Sequence, residues 1–145
     1  MIVGFNHTSF TVADLERAVS FWAKLGFQGP GIVGRDAEWV GEVTGVQGAR
    51  IRVAHLYGYG HHMEFIEYAD GGRDNSTDLP STPGTAHVCL EVEDIHATFA
   101  DLLATGASPL GRMTDIDQPG MTPCTAGYLR DPNGIIIELL ENRGA

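Results

Sequence analysis

The chain is short of cysteine, of basic residues and of long apolar runs, and each shortage closes off a class of function. It has two cysteines, Cys89 and Cys124, in 145 residues. Two thiols build no disulfide framework, and without a Cys-x-x-Cys pair they carry no zinc-ribbon signature. Both are expected to be free, Cys89 on a strand and Cys124 in a loop. Lysine and arginine total 9 against 19 aspartates and glutamates, a formal net charge of −10. Nucleic acid and anionic membrane surfaces are held by clustered cations, so this composition argues against both as partners. No stretch approaches the ~18 consecutive apolar residues of a membrane-spanning helix. The N-terminus has no basic region followed by an apolar core and a small-residue cleavage site. The expectation is a cytoplasmic protein whose partner is a small molecule. A hydrophobic content of 43% suits one compact domain or two small fused modules.

What is present is a repeat. Val88, Leu90 and Val92 alternate with His87, Cys89 and Glu91, the period of a half-buried strand. From Asp94 the period becomes helical, with Ile95, Phe99, Leu102 and Leu103 on one stripe, Asp94 as N-cap and Gly106 just past the end. The helix covers the Val88, Leu90 and Val92 face, which turns His87 to the other side. His7-Thr-Ser-Phe-Thr-Val-Ala-Asp14 repeats the pattern, with Phe10 and Val12 opposite His7 and a helical stripe of Leu15, Ala18, Val19, Trp22 and Leu25. Seven residues separate His7 from Asp14 and His87 from Asp94; nineteen separate His7 from Gly26 and His87 from Gly106. Such matched spacing marks an internal duplication.

The expected organisation follows. A first module, residues 1–68, has a strand over Ile2–Thr11, a helix over Asp14–Leu25 and a Gly- and Pro-rich loop over Gln28–Arg35. A short helical turn over Ala37–Val43 has Trp39, Val40 and Val43 facing one way, Trp39 being placed in the core rather than in a pocket wall. Ala49–Leu56 and His62–Tyr68 read as a hairpin joined near Tyr57–Gly60. Residues 69–83 are polar, full of breakers and expected to be a linker. The second module, 84–145, runs strand, helix, a loop over Ser108–Thr125, then Tyr128-Leu-Arg, the turn Asp131-Pro-Asn-Gly134 and a last strand over Ile135–Leu140.

Strand parity then collects a site. Ile135, Ile137 and Leu139 form the helix-facing side of the last strand and put Glu138 on the opposite face. By the same count Phe65 faces the helix and Glu64 does not. His7, Glu64, His87 and Glu138 therefore share the inner face, one histidine and one glutamate per repeat. Inward carboxylates without a cation are costly, so the set reads as a metal site. Two nitrogens and two carboxylate oxygens with no thiolate suit Zn, Ni, Co, Mn or Fe(II), and suit magnesium less. Such a centre, chelating two adjacent oxygens of a substrate, polarises a carbonyl and stabilises an enediolate, with Glu64 or Glu138 as the base.

Further residues fall near this site. His62, two before Glu64, either meets substrate and relays a proton or is a solvated residue beside the turn. Ser9, Thr11, Cys89 and Glu91 lie on the same faces as the metal histidines, and Tyr128 and Arg52 are candidates to bind an anionic substrate group. His55 and His96 read as structural. The long segments Gln28–Gly48 and Ser108–Gly127 are the expected seats of specificity.

The duplicated His7-Thr-Ser-Phe-Thr-Val-Ala-Asp-Leu-Glu-Arg-Ala-Val-Ser-Phe-Trp and His87-Val-Cys-Leu-Glu-Val-Glu-Asp-Ile segments, with Met63-Glu-Phe-Ile-Glu-Tyr and Asp131-Pro-Asn-Gly-Ile-Ile-Ile-Glu-Leu-Leu-Glu, resemble the vicinal oxygen chelate superfamily. This superfamily includes lactoylglutathione lyase, methylmalonyl-CoA epimerase, extradiol dioxygenases and the fosfomycin- and bleomycin-resistance proteins. The resemblance implies an α+β fold of two tandem βαβββ modules forming a cupped mixed sheet around one divalent metal, commonly in a homodimer. The His7, Glu64, His87, Glu138 set resembles that of lactoylglutathione lyase. The epimerase typically has Gln where Glu64 stands, and a dioxygenase triad would need only His7, His87 and Glu138. The segment Glu64-Phe-Ile-Glu-Tyr is more similar to epimerases, and Val43-Thr-Gly-Val-Gln-Gly-Ala-Arg-Ile-Arg-Val to cyclitol epimerases. The reading is a divalent-metal-dependent isomerase or epimerase. A lactoylglutathione-lyase-like enzyme, an Fe(II) extradiol-type dioxygenase and a metal-free drug-binding resistance protein are the alternatives.

Overall fold

The computed structural model describes residues 1–71 and 78–144 and divides into two compact units, residues 1–74 and 75–145. Residues 72–77 of the expected linker lie outside the described residues. The fold is α+β, and each unit is a βαβββ module with its own four-stranded mixed sheet. In the first unit β1 (Thr8–Thr11), α1 (Leu15–Lys24), β2 (Ile32–Arg35), α2 (Glu38–Thr44), β3 (Ile51–Gly58) and β4 (His61–Tyr68) give the sheet order β1-β4-β3-β2. In the second, β5 (His87–Glu91), α3 (Ile95–Ala104), β6 (Ser108–Ile116), β7 (Cys124–Arg130) and β8 (Ile136–Asn142) give β5-β8-β7-β6. The first strand of each unit runs parallel to the last, and the other pairs are antiparallel. Among the described residues no helix is long and apolar enough to cross a membrane.

The duplication extends to the hydrogen bonds that start each helix. The Asp14 side chain accepts from the Arg17 N–H and that of Asp94 from the Ala97 N–H, both at 2.8 Å. The N–H of Leu15 donates to Glu67 and that of Ile95 to Glu141, again both at 2.8 Å, so a carboxylate from the end of the last strand closes each helix start. The four free N–H groups and the positive end of a helix dipole make this the favoured place for such anions. Each helix stops alike: the N–H of Phe27 reaches the Trp22 carbonyl at 3.1 Å and that of Ala107 reaches Leu102 at 3.0 Å, with Gly26 and Gly106 at positive φ between them.

The apolar stripes bury one face of each sheet. Leu15, Ala18, Phe21 and Trp22 of α1 are buried with Ala54 and Leu56 of β3 and Met63 and Phe65 of β4, and the Trp22 and Phe65 rings lie 5.5 Å apart. Ile95 and Leu102 of α3 are buried with Leu129, Ile137 and Leu139 of β7 and β8. The opposite face of the first sheet is covered at one end by α2, whose Val40 packs with Ala49, Ile51, Val53, Ile66 and Tyr68. The hairpin between β3 and β4 turns on Tyr59 and Gly60, both at positive φ (53° and 76°), the backbone of a two-residue hairpin turn. The Tyr59 hydroxyl donates to the Leu25 carbonyl at 3.0 Å, which compensates for a tyrosine in that conformation.

Several expectations need correction. The first strand begins at Thr8 rather than Ile2, and Ile2, Val3 and Phe5 are exposed. The expected loop at Gln28–Arg35 contains β2, a four-residue edge strand too short to register as a period. The first half of the expected loop at Ser108–Thr125 is β6, and Cys124 opens β7 as a buried residue. Pro109 and Gly111 hide β6 in the sequence; both are tolerated because β6 is an edge strand with a register shift between Leu110 and Thr114. In α2 only Val40 is buried, while Trp39 and Val43 are 49% and 77% exposed, so Trp39 is not a core residue. Leu103 of α3 is also exposed.

Candidate metal and proton-transfer site

On β4 and β8 the helix-facing residues are Met63 and Phe65, and Ile137 and Leu139, which leaves Glu64 and Glu138 on the open face. Register brings a second strand to each. Ser9 and His55 stand opposite Glu64 from β1 and β3, and Cys89 and Tyr128 stand opposite Glu138 from β5 and β7. The two modules thus present matched four-position arrays: His7, Ser9, His55 and Glu64 in one, His87, Cys89, Tyr128 and Glu138 in the other.

Both His–Glu pairs form within their own unit. Nε2 of His7 is 3.4 Å from Oε1 of Glu64, and Nε2 of His87 is 3.2 Å from Oε2 of Glu138. The carboxylates are mostly buried, at 16% and 20% side-chain exposure, and the imidazoles more open, at 34% and 43%. Asn6 adds a detail that the sequence pattern did not single out. Its side-chain oxygen lies 2.7 Å from Nδ1 of His7. That contact places the proton of a neutral ring on Nδ1 and turns the lone pair of Nε2 toward the Glu64 carboxylate.

The spacing within each pair suits a divalent cation. An imidazole nitrogen and a carboxylate oxygen at 3.2–3.4 Å share a positive centre between them, either a proton or a metal. Nitrogen and oxygen donors each about 2.1 Å from one ion, at angles between a right angle and a tetrahedral one, stand roughly 3.0–3.4 Å apart. Among the described residues no three His, Cys, Asp or Glu side chains are gathered in a set able to hold an ion. Each unit offers one imidazole and one carboxylate.

Around Glu64 the structure adds a histidine that was read as structural. Nε2 of His55 is 3.7 Å from Oε2 of Glu64, and its Nδ1 is 3.0 Å from Nε2 of His62, one ring donating and the other accepting. His62 also stacks on Tyr57, with centroids 4.4 Å apart, and meets the edge of His7 at 5.3 Å. His62 therefore belongs to the Glu64 face, and so does His55. Register makes the connection: the β3–β4 hairpin turns on Tyr59 and Gly60, which sets His55 directly across from Glu64.

Around Glu138 the partners are different. The Tyr128 hydroxyl donates to Oε2 of Glu138 at 3.1 Å and stands 3.5 Å from Nε2 of His87. Burial, reinforced by the hydrogen bond and negative charge of Glu138, holds the Tyr128 phenol above its ordinary pKa. Burial likewise pushes the Cys89 thiol up to about 11, with the Glu138 charge adding to it. Glu91, at the far end of β5, accepts from the Asn142 side chain at 2.6 Å. Ser9 and Thr11 are exposed. Arg52 is not with this group. It lies on the α1 side of β3, where its guanidinium engages Glu16 at 2.8 Å and Glu67 at 2.7 Å. Residues 52 and 55 have opposite parity on one strand, so both cannot face the site.

Fold and site together define a duplicated α+β protein with an imidazole–carboxylate pair on the open face of each module. The chain belongs to the Glyoxalase/Bleomycin resistance protein/Dioxygenase superfamily, whose model matches residues 4–139. It is 27% identical to a Vibrio parahaemolyticus protein named probable lactoylglutathione lyase, over 96% of this chain and 91% of that one. A solved glyoxalase family protein from Bacillus cereus matches with a TM-score of 0.86 and 25% identity, covering 98% of this chain and 95% of its own. A glyoxalase family protein from Enterococcus faecalis shares the fold, with a TM-score of 0.66 and 19% identity over 95% of this chain and 97% of that one.

Proposed function

We propose that this protein is a divalent-metal-dependent isomerase or epimerase that moves a proton at a carbon beside a chelated substrate oxygen. His7, Glu64, His87 and Glu138 hold the ion in this reading. The observation that carries it is that each module turns an imidazole Nε2 toward a mostly buried carboxylate at 3.2–3.4 Å, in His7 with the other ring nitrogen already engaged by Asn6. A bound divalent ion supplies Lewis acidity, lowering the cost of negative charge on the substrate oxygen. The chain's own part is to remove and return the proton. Glu64 and Glu138 are the groups of the right chemistry, since a carboxylate in a partly desolvated site is a competent general base. His62, beside Glu64, is suited to contact the substrate.

The lactoylglutathione-lyase-like reading stands second, supported by the 27% identical relative of that name. It uses the same residues and the same proton transfer on a thiol adduct of a 2-oxoaldehyde. The test is elemental analysis of untagged native protein and of His87→Ala, followed by solvent-deuterium exchange assays. About one divalent ion per native chain, lost in the variant, is expected. Exchange into hydroxyketones or acyl thioesters supports the epimerase, and exchange into the glutathione–methylglyoxal adduct supports the lyase. If native protein offered zinc, nickel, cobalt, manganese and iron(II) retains none, the proposal fails.

A further inference from the structure

The two modules match at His7 and His87, at Glu64 and Glu138, and at Glu67 and Glu141, but not at the residue across from the inner-face glutamate on its antiparallel neighbour strand. That position is His55 in the first module and Tyr128 in the second. The contacts differ accordingly. Tyr128 donates a hydroxyl proton to Glu138 at 3.1 Å, whereas His55 stands 3.7 Å from Glu64 and spends its other nitrogen on His62. A carboxylate that accepts a hydroxyl hydrogen bond on one oxygen has its plane set and its second oxygen aimed. One bordered only by looser contacts keeps more freedom of orientation.

We infer that Tyr128 is a positioning residue that locks Glu138 as the anchoring carboxylate of the cation site, and that His55 leaves Glu64 as the more loosely held one. The inference rests on the metal-dependent reading above and breaks the symmetry that the repeat suggests. Glu138 stays with the cation, and Glu64 is the carboxylate free to swing toward substrate. The Cys89 thiol, packed on the other side of Glu138, narrows its freedom further.

Cobalt(II) tests this, because its affinity and visible spectrum are read without turnover. Native protein, Tyr128→Phe, His55→Phe, Glu138→Gln and the Tyr128→Phe/Glu138→Gln double variant are titrated with cobalt(II) alone. Tyr128→Phe is expected to weaken binding about tenfold and to change the ligand-field bands, since second-layer partners of metal ligands are worth about 10–100-fold in affinity. His55→Phe is expected to change affinity less than about threefold. In the Glu138→Gln background Tyr128→Phe should add little, because the hydroxyl acts through that carboxylate. A structural role alone would lower thermal stability in both backgrounds without this coupling. The inference is overturned if Tyr128→Phe binds cobalt like native protein, if His55→Phe costs as much, or if the loss persists undiminished in the Glu138→Gln background. If native protein itself binds no cobalt, the metal-dependent reading fails along with it. If native protein binds and Tyr128→Phe matches it, only the anchoring role is lost.

Discussion

Replacing Asp131 by alanine removes the device that delivers Glu138 in register. Asp131 is 3% exposed and sits at the start of the turn between β7 and β8. Its Oδ1 accepts from the N–H groups of Asn133 and Ile135, both at 2.8 Å, and its own N–H donates to the Ile135 carbonyl at 2.9 Å. Alanine keeps the last of these bonds and loses the first two. Hydrogen bonds to a charged acceptor are worth about 1.5–3 kcal/mol each, offset by the relief of burying a carboxylate. The Ile135 N–H is left in a buried place, whereas Asn133 is only half-buried and its N–H reaches water. The net cost comes to about 3 kcal/mol. Asp131→Asn keeps an acceptor oxygen and is expected to cost about 1 kcal/mol. Urea unfolding of both variants followed by far-ultraviolet circular dichroism reports the loss directly. Tryptophan emission serves as a separate probe of the first unit, because Trp22 and Trp39 both lie there. A cost below about 1 kcal/mol for Asp131→Ala, or equal costs for the two variants, would refute the reasoning from these two bonds.

Three other outcomes follow from named contacts. At pH 8 the metal-free protein should alkylate at Cys89 roughly a hundredfold more slowly than a thiol with the ordinary value of 9.0, because its pKa is about 11; iodoacetamide labelling read by mass spectrometry checks this, and Glu138→Gln should speed it. Gly29→Ala should destabilise the first unit by more than about 2 kcal/mol, because a Cβ there falls 1.7 Å from the His55 carbonyl oxygen and the backbone must move; unchanged denaturant midpoints would contradict it. Hydrogen bonding to Arg52 holds the Glu16 carboxyl below its ordinary 4.5. A lowered folded-state pKa contributes stability above the unfolded value that is lost as pH falls through the folded one. Arg52→Met should therefore lower stability at neutrality, with the gap to native protein narrowing as pH falls below about 4.5, checked by melting temperatures from pH 3 to 7.

The strands and helices built on strong periods were legible in the sequence, and so was the duplication that set His7 against His87 and Glu64 against Glu138. Alternation decides which face a strand residue takes whenever a helix must be buried on the other, so Phe65 and Ile137 alone turn the two glutamates to the open side. Helix starts were equally local, since Asp14 and Asp94 cap the N–H groups three residues on. Edge strands were not legible. β2 and β6 carry Gly or Pro and few apolar residues because an edge tolerates missing donors, and only their pairing with β3 and β7 makes them strands. Register across strands was also out of reach, because it depends on where a hairpin turns. The Tyr59–Gly60 turn places His55 opposite Glu64, and the Asp131–Gly134 turn places Tyr128 opposite Glu138. Tertiary structure likewise decided that Arg52 spends its charge on Glu16 and Glu67. What the sequence determined was the repeat and the facing of its His and Glu residues, through periods that every residue helps to state. What only the folded chain decided was which neighbours those residues acquire, because pairing joins positions that no local pattern connects.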